Sequence, residues 1–306
     1  TRNKAFEFRR YKFMHFSSGV NRPPYEAQSA YLQVTSGCST NNECAFCTFY
    51  RESNFKVSPI EEIISDLKEL RSYNINPKRI FLQGADPFVL SYEKLMEIGK
   101  LIKKYLPTVE SIGGYARINN IANKTVEQLQ NLRDMGYSNP YFGIESGDNF
   151  ILERMSKGYT SELITEQCSK MDEAGFKYVA NFLNGLGGHG YGLKHAQDSA
   201  KILNNLKPTL IYASSLTLMP GSLLFEQANT GEYKEATEIE KLEEMKEFIK
   251  ALTVPTLFQA VHSSIAVPLS GRIPEDKEDM IRTLQNVIDN TTESSLRKFR
   301  ESVKSL

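Results

Sequence analysis

The sequence predicts an α/β fold built on a mostly parallel β-sheet. Short apolar runs, typical of buried strands, alternate along the chain with amphipathic stretches of about ten or more residues, typical of helices. Such alternation indicates repeated βαβ units, in which each helix connects two parallel strands. The predicted strands occupy residues 30–35, 79–83, 111–116, 141–144, 178–183 and 210–216.

Local signals place the helices between these strands. Ser58, Pro59 and Glu61 match a capping box with proline at the first helical position, and an apolar helix face follows. Gly136 ends the helix predicted over residues 125–135, because glycine is the usual residue just past a helix end. The other predicted helices cover residues 91–105, 149–155, 161–174 and 193–206.

The composition is that of an ordinary globular protein. The 306 residues are 40% hydrophobic and 24% charged, and 37 lysines and arginines balance 37 aspartates and glutamates. A net charge of zero gives no overall basic footprint for nucleic acid, so a nucleic-acid partner is not favoured. No apolar run approaches the roughly 18 residues of a membrane span, which predicts a cytoplasmic protein without a membrane partner.

Three parts are predicted along the chain: an N-terminal arm over residues 1–28, a core over 29–225 and a C-terminal extension over 226–306. Arg22, Pro23 and Pro24 break any helix in the arm. From residue 226 the strand–helix alternation gives way to mainly helical sequence, with an extended stretch over residues 256–273. We expect this extension to cover the open side of the core.

Three of the four cysteines, Cys38, Cys44 and Cys47, fall within ten residues. These motif cysteines suit a [4Fe-4S] cluster, which normally takes four thiolates and would here keep one iron free for another ligand. A zinc site is the alternative, but structural zinc sites are closed by four ligands and no second cysteine pair exists. His189 and His195 are the only histidine pair with a spacing near that of a zinc finger, and they lie far along the chain from the cysteines.

The fourth cysteine, Cys168, has a different interpretation. It recurs at helical spacing with Ile164 and Met171, which is the pattern of a buried helix face. Free cysteine behaves as a small apolar residue in such a position. We therefore expect Cys168 in the core, and no auxiliary cluster bound by the protein.

The cysteine motif resembles that of the radical S-adenosylmethionine (radical SAM) superfamily. The usual motif is Cys-x3-Cys-x2-Cys with an aromatic residue before the last cysteine, and Phe46 holds that place here. This chain has Cys-x5-Cys-x2-Cys, a spacing shared by HmdB-type members. The resemblance implies a partial (β/α)6 TIM barrel, a [4Fe-4S] cluster on the motif cysteines and S-adenosylmethionine (SAM) as the second cofactor, with Phe46 beside it.

Gly84, Ala85 and Asp86 follow the second predicted strand. Taken alone, this sequence is ordinary turn chemistry. Its position resembles the GGE-like turn of the superfamily, whose backbone and acid hold the amino group of SAM. The resemblance assigns that role to these three residues.

Glu145 ends the fourth predicted strand, where an acid is costly unless it has a partner. The run from Gly143 to Gly158 resembles the GIESG-x(n)-K-G block of the Elongator, MiaB and HemN branch. There the glutamate contacts the ribose or amino group of SAM and the basic residue meets its carboxylate, which implies these roles for Glu145 and Lys157. A plain salt bridge between the two is the alternative.

The loop after the fifth strand contains a literal G-x-G-x-x-G over residues 185–190. A dinucleotide site is not favoured, because that fingerprint belongs at the first strand-to-helix turn with an acid about 20 residues later. The loop resembles the G-x-I-x-G-L-P-G stretch of the superfamily. The resemblance implies that Asn181 takes a ribose hydroxyl and Leu183 packs on the adenine, while His189 is expected to face solvent.

Three further features lie near the predicted strand ends or in the extension. Residues 220–224 resemble the PGTPL turn of the same branch. Arg117 at the end of the third strand suits a carboxylate of SAM or substrate, and a structural role is equally open. His262 lies in the extension, and its role is open.

The resemblance implies reductive cleavage of SAM to methionine and a 5′-deoxyadenosyl radical that abstracts hydrogen from a substrate. We expect a small-molecule or peptidic substrate of cofactor, porphyrin or natural-product synthesis, and an electron donor of the flavodoxin or ferredoxin type. One alternative is a HemW-like protein that carries cluster and haem without radical turnover. Another is a tRNA-modifying enzyme.

Overall fold

The structure, a computed structural model, describes residues 14–17, 19–51 and 53–302. Half of the predicted arm, residues 1–13 and 18, therefore lies outside the described residues. The strands are β1 Ala30–Gln33, β2 Thr35–Ser36, β3 Lys56–Val57, β4 Arg79–Gln83, β5 Ser111–Ala116, β6 Tyr141–Glu145, β7 Val179–Asn184, β8 Leu210–Ser215, β9 Thr256–Ala260 and β10 Leu269–Ile273.

Helices alternate with these strands, as the sequence predicts. Short 3₁₀ turns cover Pro24–Glu26 and Pro87–Val89. The α-helices are Ile60–Ser72, Tyr92–Tyr105, Asn119–Ala122, Val126–Met135, Asn149–Arg154, Ser161–Glu173, Gly192–Leu203, Leu223–Thr230, Glu238–Ala251, Lys277–Asn290 and Glu293–Ser302.

One eight-stranded sheet organises the molecule. Its order is β1-β4-β5-β6-β7-β8-β9-β10, and β2 pairs with β3 in a separate ribbon. All neighbours from β1 to β9 are parallel, and only β10 is antiparallel. Within the described residues β1 and β10 are the two edges and do not pair with each other. The predicted α/β class with an open, mostly parallel sheet is confirmed.

The C-terminal part differs from a purely helical extension. Its predicted extended stretch forms β9 and β10, and β9 continues the sheet as a seventh parallel strand beside β8. The helix Glu238–Ala251 packs on the helix Gly192–Leu203, where the buried side chains of His195 and Glu244 form a hydrogen bond of 2.8 Å. The C-terminal part therefore adds β9 and β10 to one edge of the sheet and packs one helix on the helix that follows β7.

The two predicted helix-end signals, the capping box at Ser58 and the stop at Gly136, have different outcomes. Thr125 and Gln128 form a full capping box, and Gly136 ends the helix at a left-handed φ of 109°. The capping box predicted at Ser58 is wrong, because the helix begins after Pro59 without any side-chain cap. The Ser58 amide instead donates to the carbonyl of Val34 at 3.0 Å, which ties it to the chain between β1 and β2.

Aromatic side chains fill the inner face of the sheet. Tyr115, Tyr141 and Tyr212 belong to one buried cluster, with ring centroids 5.3 Å apart for Tyr115–Tyr141 and 6.0 Å apart for Tyr141–Tyr212. The ring of Tyr25 lies 5.8 Å from that of Tyr212. This filling resembles the packed interior of a barrel more than a pore. No helix in the described part of the chain has the length and apolarity that a membrane crossing requires.

Candidate active site

A cavity of about 310 Å³ lies at the carboxyl ends of the parallel strands. Active sites of parallel α/β barrels gather at this end, because each strand delivers its following loop there. Two predicted residues, Gly84 and Asp86, are not among the described residues that line the cavity. The predicted residues that do line it are Cys38, Cys44, Phe46, Cys47, Ala85, Arg117, Glu145, Lys157, Asn181 and Leu183.

The motif cysteines are free thiols on the wall of this cavity. Burial raises the pKa of the Cys47 thiol to about 11, and the neighbouring Cys44 and Cys38 act in the same direction. In the described part of the chain no three histidine, cysteine, aspartate or glutamate side chains are arranged to hold a single metal ion. The thiols border a shared space instead, which fits a cluster whose cysteines bind separate iron atoms.

Two cations, the buried Lys157 and the partly buried Arg117, lie beside the cysteines. The Arg117 guanidinium donates to the Cys44 sulfur at 3.4 Å and also donates to the carbonyl of Lys157. The Lys157 ammonium lies 5.6 Å from the centroid of the Phe46 ring. Such cations suit a negatively charged cluster and the carboxylate of SAM.

Burial acts to lower the pKa of the Lys157 ammonium, but the attraction of Tyr159 and Glu145 outweighs it and raises that pKa above its ordinary value. Lys157 is therefore a permanent cation on the wall of the cavity. Its charge is available to an anionic ligand at any physiological pH.

The glycine turn after β4 is built around close backbone contact. Gly84 has a left-handed φ of 125°, and a Cβ there would overlap the side chain of Thr35 and lie 2.8 Å from its carbonyl oxygen. The amide of Ala85 donates to the carbonyl of Gly37 at 3.3 Å, just before the cysteine loop. Only glycine therefore lets the β4 turn pack against the start of that loop.

Asp86 contacts the cysteine loop and is not among the described residues that line the cavity. Its carboxylate accepts a hydrogen bond from the Ser39 hydroxyl within the cysteine loop. Burial raises the pKa of this carboxyl. Asp86 thus fastens the loop that carries the cysteines.

Glu145 is the most constrained residue of the site. Its φ is +68°, and the β6–β7 register shifts between Phe142 and Glu145. One oxygen lies 3.5 Å from the Lys157 ammonium, and the other accepts from the amide of Asn181. A side chain at Gly143 would reach within 2.6 Å of the carboxylate, so glycine leaves room for it. Backbone strain of this kind often marks a functional position.

The β7 residues complete this polar group. The Asn181 side chain donates to Glu145 and accepts from the Tyr141 hydroxyl at 2.6 Å, which fixes its amide orientation. Leu183 lies two residues further on the same cavity wall, as the alternation of a strand requires. Tyr141 and the other tyrosines of the inner cluster were not predicted as site residues, although their alternation along the strands was visible in the sequence.

The glycine-rich loop is not part of the described cavity wall. A Cβ at Gly188 would lie 2.7 Å from the Lys234 carbonyl oxygen, so this glycine lets the loop pack against the C-terminal part. His189 is exposed and lies 3.0 Å from the Glu240 carboxylate. His262, in contrast, lines the cavity.

Sequence relatives point to the MiaB and HemN branch. The heme chaperone HemW of Bacillus subtilis strain 168 is 22% identical over 211 residues, which are 67% of this chain and 54% of HemW. The tRNA-2-methylthio-N(6)-dimethylallyladenosine synthase of Finegoldia magna is 28% identical over 152 residues, 47% of this chain and 32% of that enzyme. The chain thus spans about half of the first relative and a third of the second.

Solved structures share the fold. Coproporphyrinogen III oxidase (HemN) from Escherichia coli has a TM-score of 0.53 at 15% identity, covering 72% of this chain and 51% of HemN. Methylornithine synthase (PylB) has a TM-score of 0.50 at 13% identity, covering 89% and 85%. These matches confirm the partial barrel.

The family itself is shown by a match along the sequence. The model described as the radical SAM superfamily covers residues 32–203, which is more than half of the chain. The chain therefore belongs to the radical SAM superfamily, whose enzymes use a [4Fe-4S] cluster and SAM.

Proposed function

We propose that the motif cysteines bind a [4Fe-4S] cluster and that the adjoining wall binds SAM for reductive cleavage. The observation that carries this proposal is that the three thiols border the same cavity as the bonded group Glu145, Lys157 and Asn181. Cluster, SAM and substrate would then share one water-poor space. When bound, the two cofactors supply a 5′-deoxyadenosyl radical that abstracts hydrogen from a small-molecule or peptidic substrate.

Different side chains of the cavity wall would contact different parts of SAM. Lys157 and Arg117 offer positive charge to its carboxylate and to the cluster thiolates. Glu145 and Asn181 form a polar pair for its amino group or ribose, and Leu183 offers an apolar surface for adenine. Because these groups are already bonded to one another, little conformational entropy is lost when the ligand arrives.

The glycine turn has a supporting part in this proposal. Ala85 lines the cavity and brings its backbone near the amino group of SAM. Asp86 acts through Ser39 by holding the cysteine loop in place. Phe46 stands between Cys44 and Cys47 and packs against the Lys157 ammonium.

Anaerobic reconstitution with iron and sulfide tests the proposal. The wild-type chain should show cluster absorption and, with dithionite and SAM, form 5′-deoxyadenosine detectable by mass spectrometry. Cys44→Ala should lose both the cluster and the product. Cys168→Ala is the matched control, because Cys168 is buried in a helix away from the cavity. Equal cluster content in the two variants would contradict the assignment.

A HemW-like carrier is the second candidate, favoured by the similarity to HemW. It predicts that the reconstituted chain binds haem, as measured by difference absorption. It also predicts that 5′-deoxyadenosine stays at the level found in samples that lack the reductant. The radical enzyme predicts the opposite. Steady product formation that is unchanged by haem would exclude the carrier.

We infer a cytoplasmic setting with a flavodoxin or ferredoxin-type electron donor, because the cleavage consumes an electron that must reach a buried cluster. The similarity to a tRNA-modifying synthase supports tRNA as a further substrate class. The zero net charge of the chain argues against it, since tRNA binding needs a basic face.

A further inference from the structure

The first two motif cysteines stand two residues further apart than in the usual motif, and a tight turn lies between them. Asn41 and Asn42 are its central residues, and both adopt left-handed φ angles, of 51° and 62°. The amide of Glu43 donates to the carbonyl of Thr40 at 3.2 Å, which closes the turn around them. Left-handed φ angles at both central residues are typical of a type I′ turn, which favours asparagine there.

A turn of this kind lengthens the chain without separating its ends. Because the backbones of Thr40 and Glu43 are bonded to each other, these two residues lie side by side although two others stand between them. The chain therefore enters and leaves the turn at nearly the same place. The turn accounts for a difference of two residues in the length of the motif.

The two halves of the cysteine loop are anchored on different segments. Before the turn, the Ser39 hydroxyl bonds to Asp86, which follows β4. Beyond the turn, the amide of Ala45 donates at 3.1 Å to the carbonyl of Met155, in the segment after β6. One side of the site therefore places Cys38, and another side places the other two motif cysteines.

A side-chain hydrogen bond joins the turn to the far end of the loop. The Asn42 side chain donates from its nitrogen to the carbonyl of Tyr50 at 2.8 Å. A carbonyl can only accept, so this bond fixes the orientation of the Asn42 amide. The same carbonyl accepts from the Ser53 amide at 3.0 Å. The turn before Cys44 is thereby tied to the chain that follows Cys47.

The two asparagines differ in what their side chains contribute. Asn42 is half-buried, whereas Asn41 is exposed. The left-handed backbone is common to both positions, and glycine adopts it at least as readily as asparagine. The bond to Tyr50 belongs to the Asn42 side chain. The backbone requirement and the side-chain bond can therefore be tested separately.

We propose that Asn42 is a positioning residue for the cluster, because its bond to the Tyr50 carbonyl holds the longer loop in a shape that brings Cys38 together with Cys44 and Cys47. The inference rests on the proposed function, since it takes these cysteines as the cluster ligands. Without the bond, the turn moves about its base and the loop samples shapes in which Cys38 is displaced from the others. Such shapes bind a cluster poorly, because it needs all its thiolates together.

Two glycine variants make a matched pair on this turn. Asn42→Gly keeps the left-handed backbone and removes the bond, whereas Asn41→Gly keeps the backbone and removes an exposed side chain. Each variant is reconstituted anaerobically with iron and sulfide, and iron release to a chelator is followed by absorption. Release from Asn42→Gly should be about three- to tenfold faster than from the wild type, as expected for one lost hydrogen bond. Asn41→Gly should match the wild type.

Electron paramagnetic resonance of the dithionite-reduced cluster reports on its surroundings. The wild type and Asn41→Gly should each give one sharp signal that shifts completely when SAM is added. Asn42→Gly should give a broadened signal that shifts only in part, because the loop holds the cluster in several shapes. Asn42→Asp should resemble Asn42→Gly, since it keeps the shape of the side chain but turns an acceptor toward the Tyr50 carbonyl.

Deletion of both asparagines tests whether the bond is needed because the loop is long. The deletion joins Thr40 to Glu43, which already lie side by side, and restores the usual Cys-x3-Cys spacing. A shorter loop has less freedom for the bond to restrain. The deletion variant should therefore hold iron better than Asn42→Gly does. A bond that merely stabilised the fold would make the deletion at least as damaging.

Two results would overturn the inference. One is an Asn42→Gly variant that matches Asn41→Gly in iron release and in its resonance signal, and the other is a deletion variant that loses iron as fast as Asn42→Gly. Failure of the proposed function shows separately in the wild type. Wild-type protein that takes up no cluster would remove both proposals, whereas a cluster that depends on Asn42 but forms no 5′-deoxyadenosine would leave the positioning role standing.

Discussion

The conformation of single residues decides how the cysteine loop meets the sheet. Glu145 and Gly84 both adopt left-handed φ angles at strand ends facing the same site, at +68° and +125°. At Glu145 the strained backbone is accompanied by two side-chain contacts, with Lys157 and with Asn181. For Gly84 any side chain would collide with Thr35. The two positions are therefore constrained for different reasons.

Gly84→Ala tests this constraint. It should lower the free energy of unfolding by about 3 kcal/mol or more, because the left-handed backbone and the overlap with Thr35 both oppose a methyl group. Gly231→Ala is the matched control, since Gly231 has a φ of 81° with nothing within 4 Å of a Cβ. It should cost about 1–2 kcal/mol.

Urea unfolding of the two glycine variants beside the wild type measures the difference. Equal losses of stability would show that the contact with Thr35 is relieved by a small backbone shift. Reconstituted iron content gives a second comparison, which should fall in Gly84→Ala and stay normal in Gly231→Ala.

At the scale of elements, the helix Glu238–Ala251 is joined to the glycine-rich loop by one carboxylate. Glu240 accepts from the Thr237 amide at 2.7 Å, completing a capping box, and from the Gly190 amide at 2.9 Å. Burial acts to raise the pKa of Glu240, but its hydrogen bonds from Thr237, His189 and Gly190 lower it to about 2. The Glu240 side chain thus caps the start of this helix and holds the glycine-rich loop that follows β7.

Glu240→Gln should therefore lose stability in a pH-dependent way. A lowered carboxyl pKa stabilises the fold above the ordinary value of 4.5, and this contribution disappears as the pH falls from there toward 2. At pH 7 we expect a loss of about 1 kcal/mol in the free energy of unfolding, which is typical of a lost helix cap. The difference in the free energy of unfolding between Glu240→Gln and the wild type should narrow below pH 4.5.

Urea titrations between pH 3 and about 7 follow this gap. Glu243→Gln serves as the control, because Glu243 is an exposed residue of the same helix. It should stay within about 0.5 kcal/mol of the wild type throughout. A constant gap for Glu240→Gln at all pH values would contradict the assigned role.

At the scale of the whole molecule, the C-terminal helix Glu293–Ser302 reaches back to the active-site end of the sheet. Arg300 contacts the Glu238 carboxylate at 3.1 Å and donates to the Leu216 carbonyl at 3.3 Å and the Thr217 hydroxyl at 3.1 Å. Leu216 and Thr217 line the cavity. The last described helix therefore supports the part of the cavity wall that follows β8.

Arg300→Gln should loosen this support. We expect the free energy of unfolding to fall by about 1–3 kcal/mol, since the buried Glu238 loses one of its cationic partners. Amide hydrogen exchange over residues 214–219 should speed up more than exchange in β4, which lies far along the sheet order. Lys298→Gln, at an exposed position of the same helix, should change neither measurement.

Much of the fold could be predicted because its signals are local. The alternation of strands and helices and the helix stop at Gly136 depend on neighbours a few residues apart, and the structure has them. The capping box at Ser58 failed because a backbone bond to Val34, distant in sequence, took precedence. The seventh parallel strand was missed as a sheet member because pairing partners are chosen in three dimensions.

The sequence by itself determined the family, the cysteine motif and the strand ends that carry Glu145 and Asn181, because short-range patterns encode them. Tertiary structure alone decided that Asp86 bonds to Ser39, that His262 lines the cavity, and that the Tyr212 hydroxyl has no partner among the described residues. The physical reason is that burial and hydrogen bonding depend on which distant segments meet. No pattern within one segment records that choice.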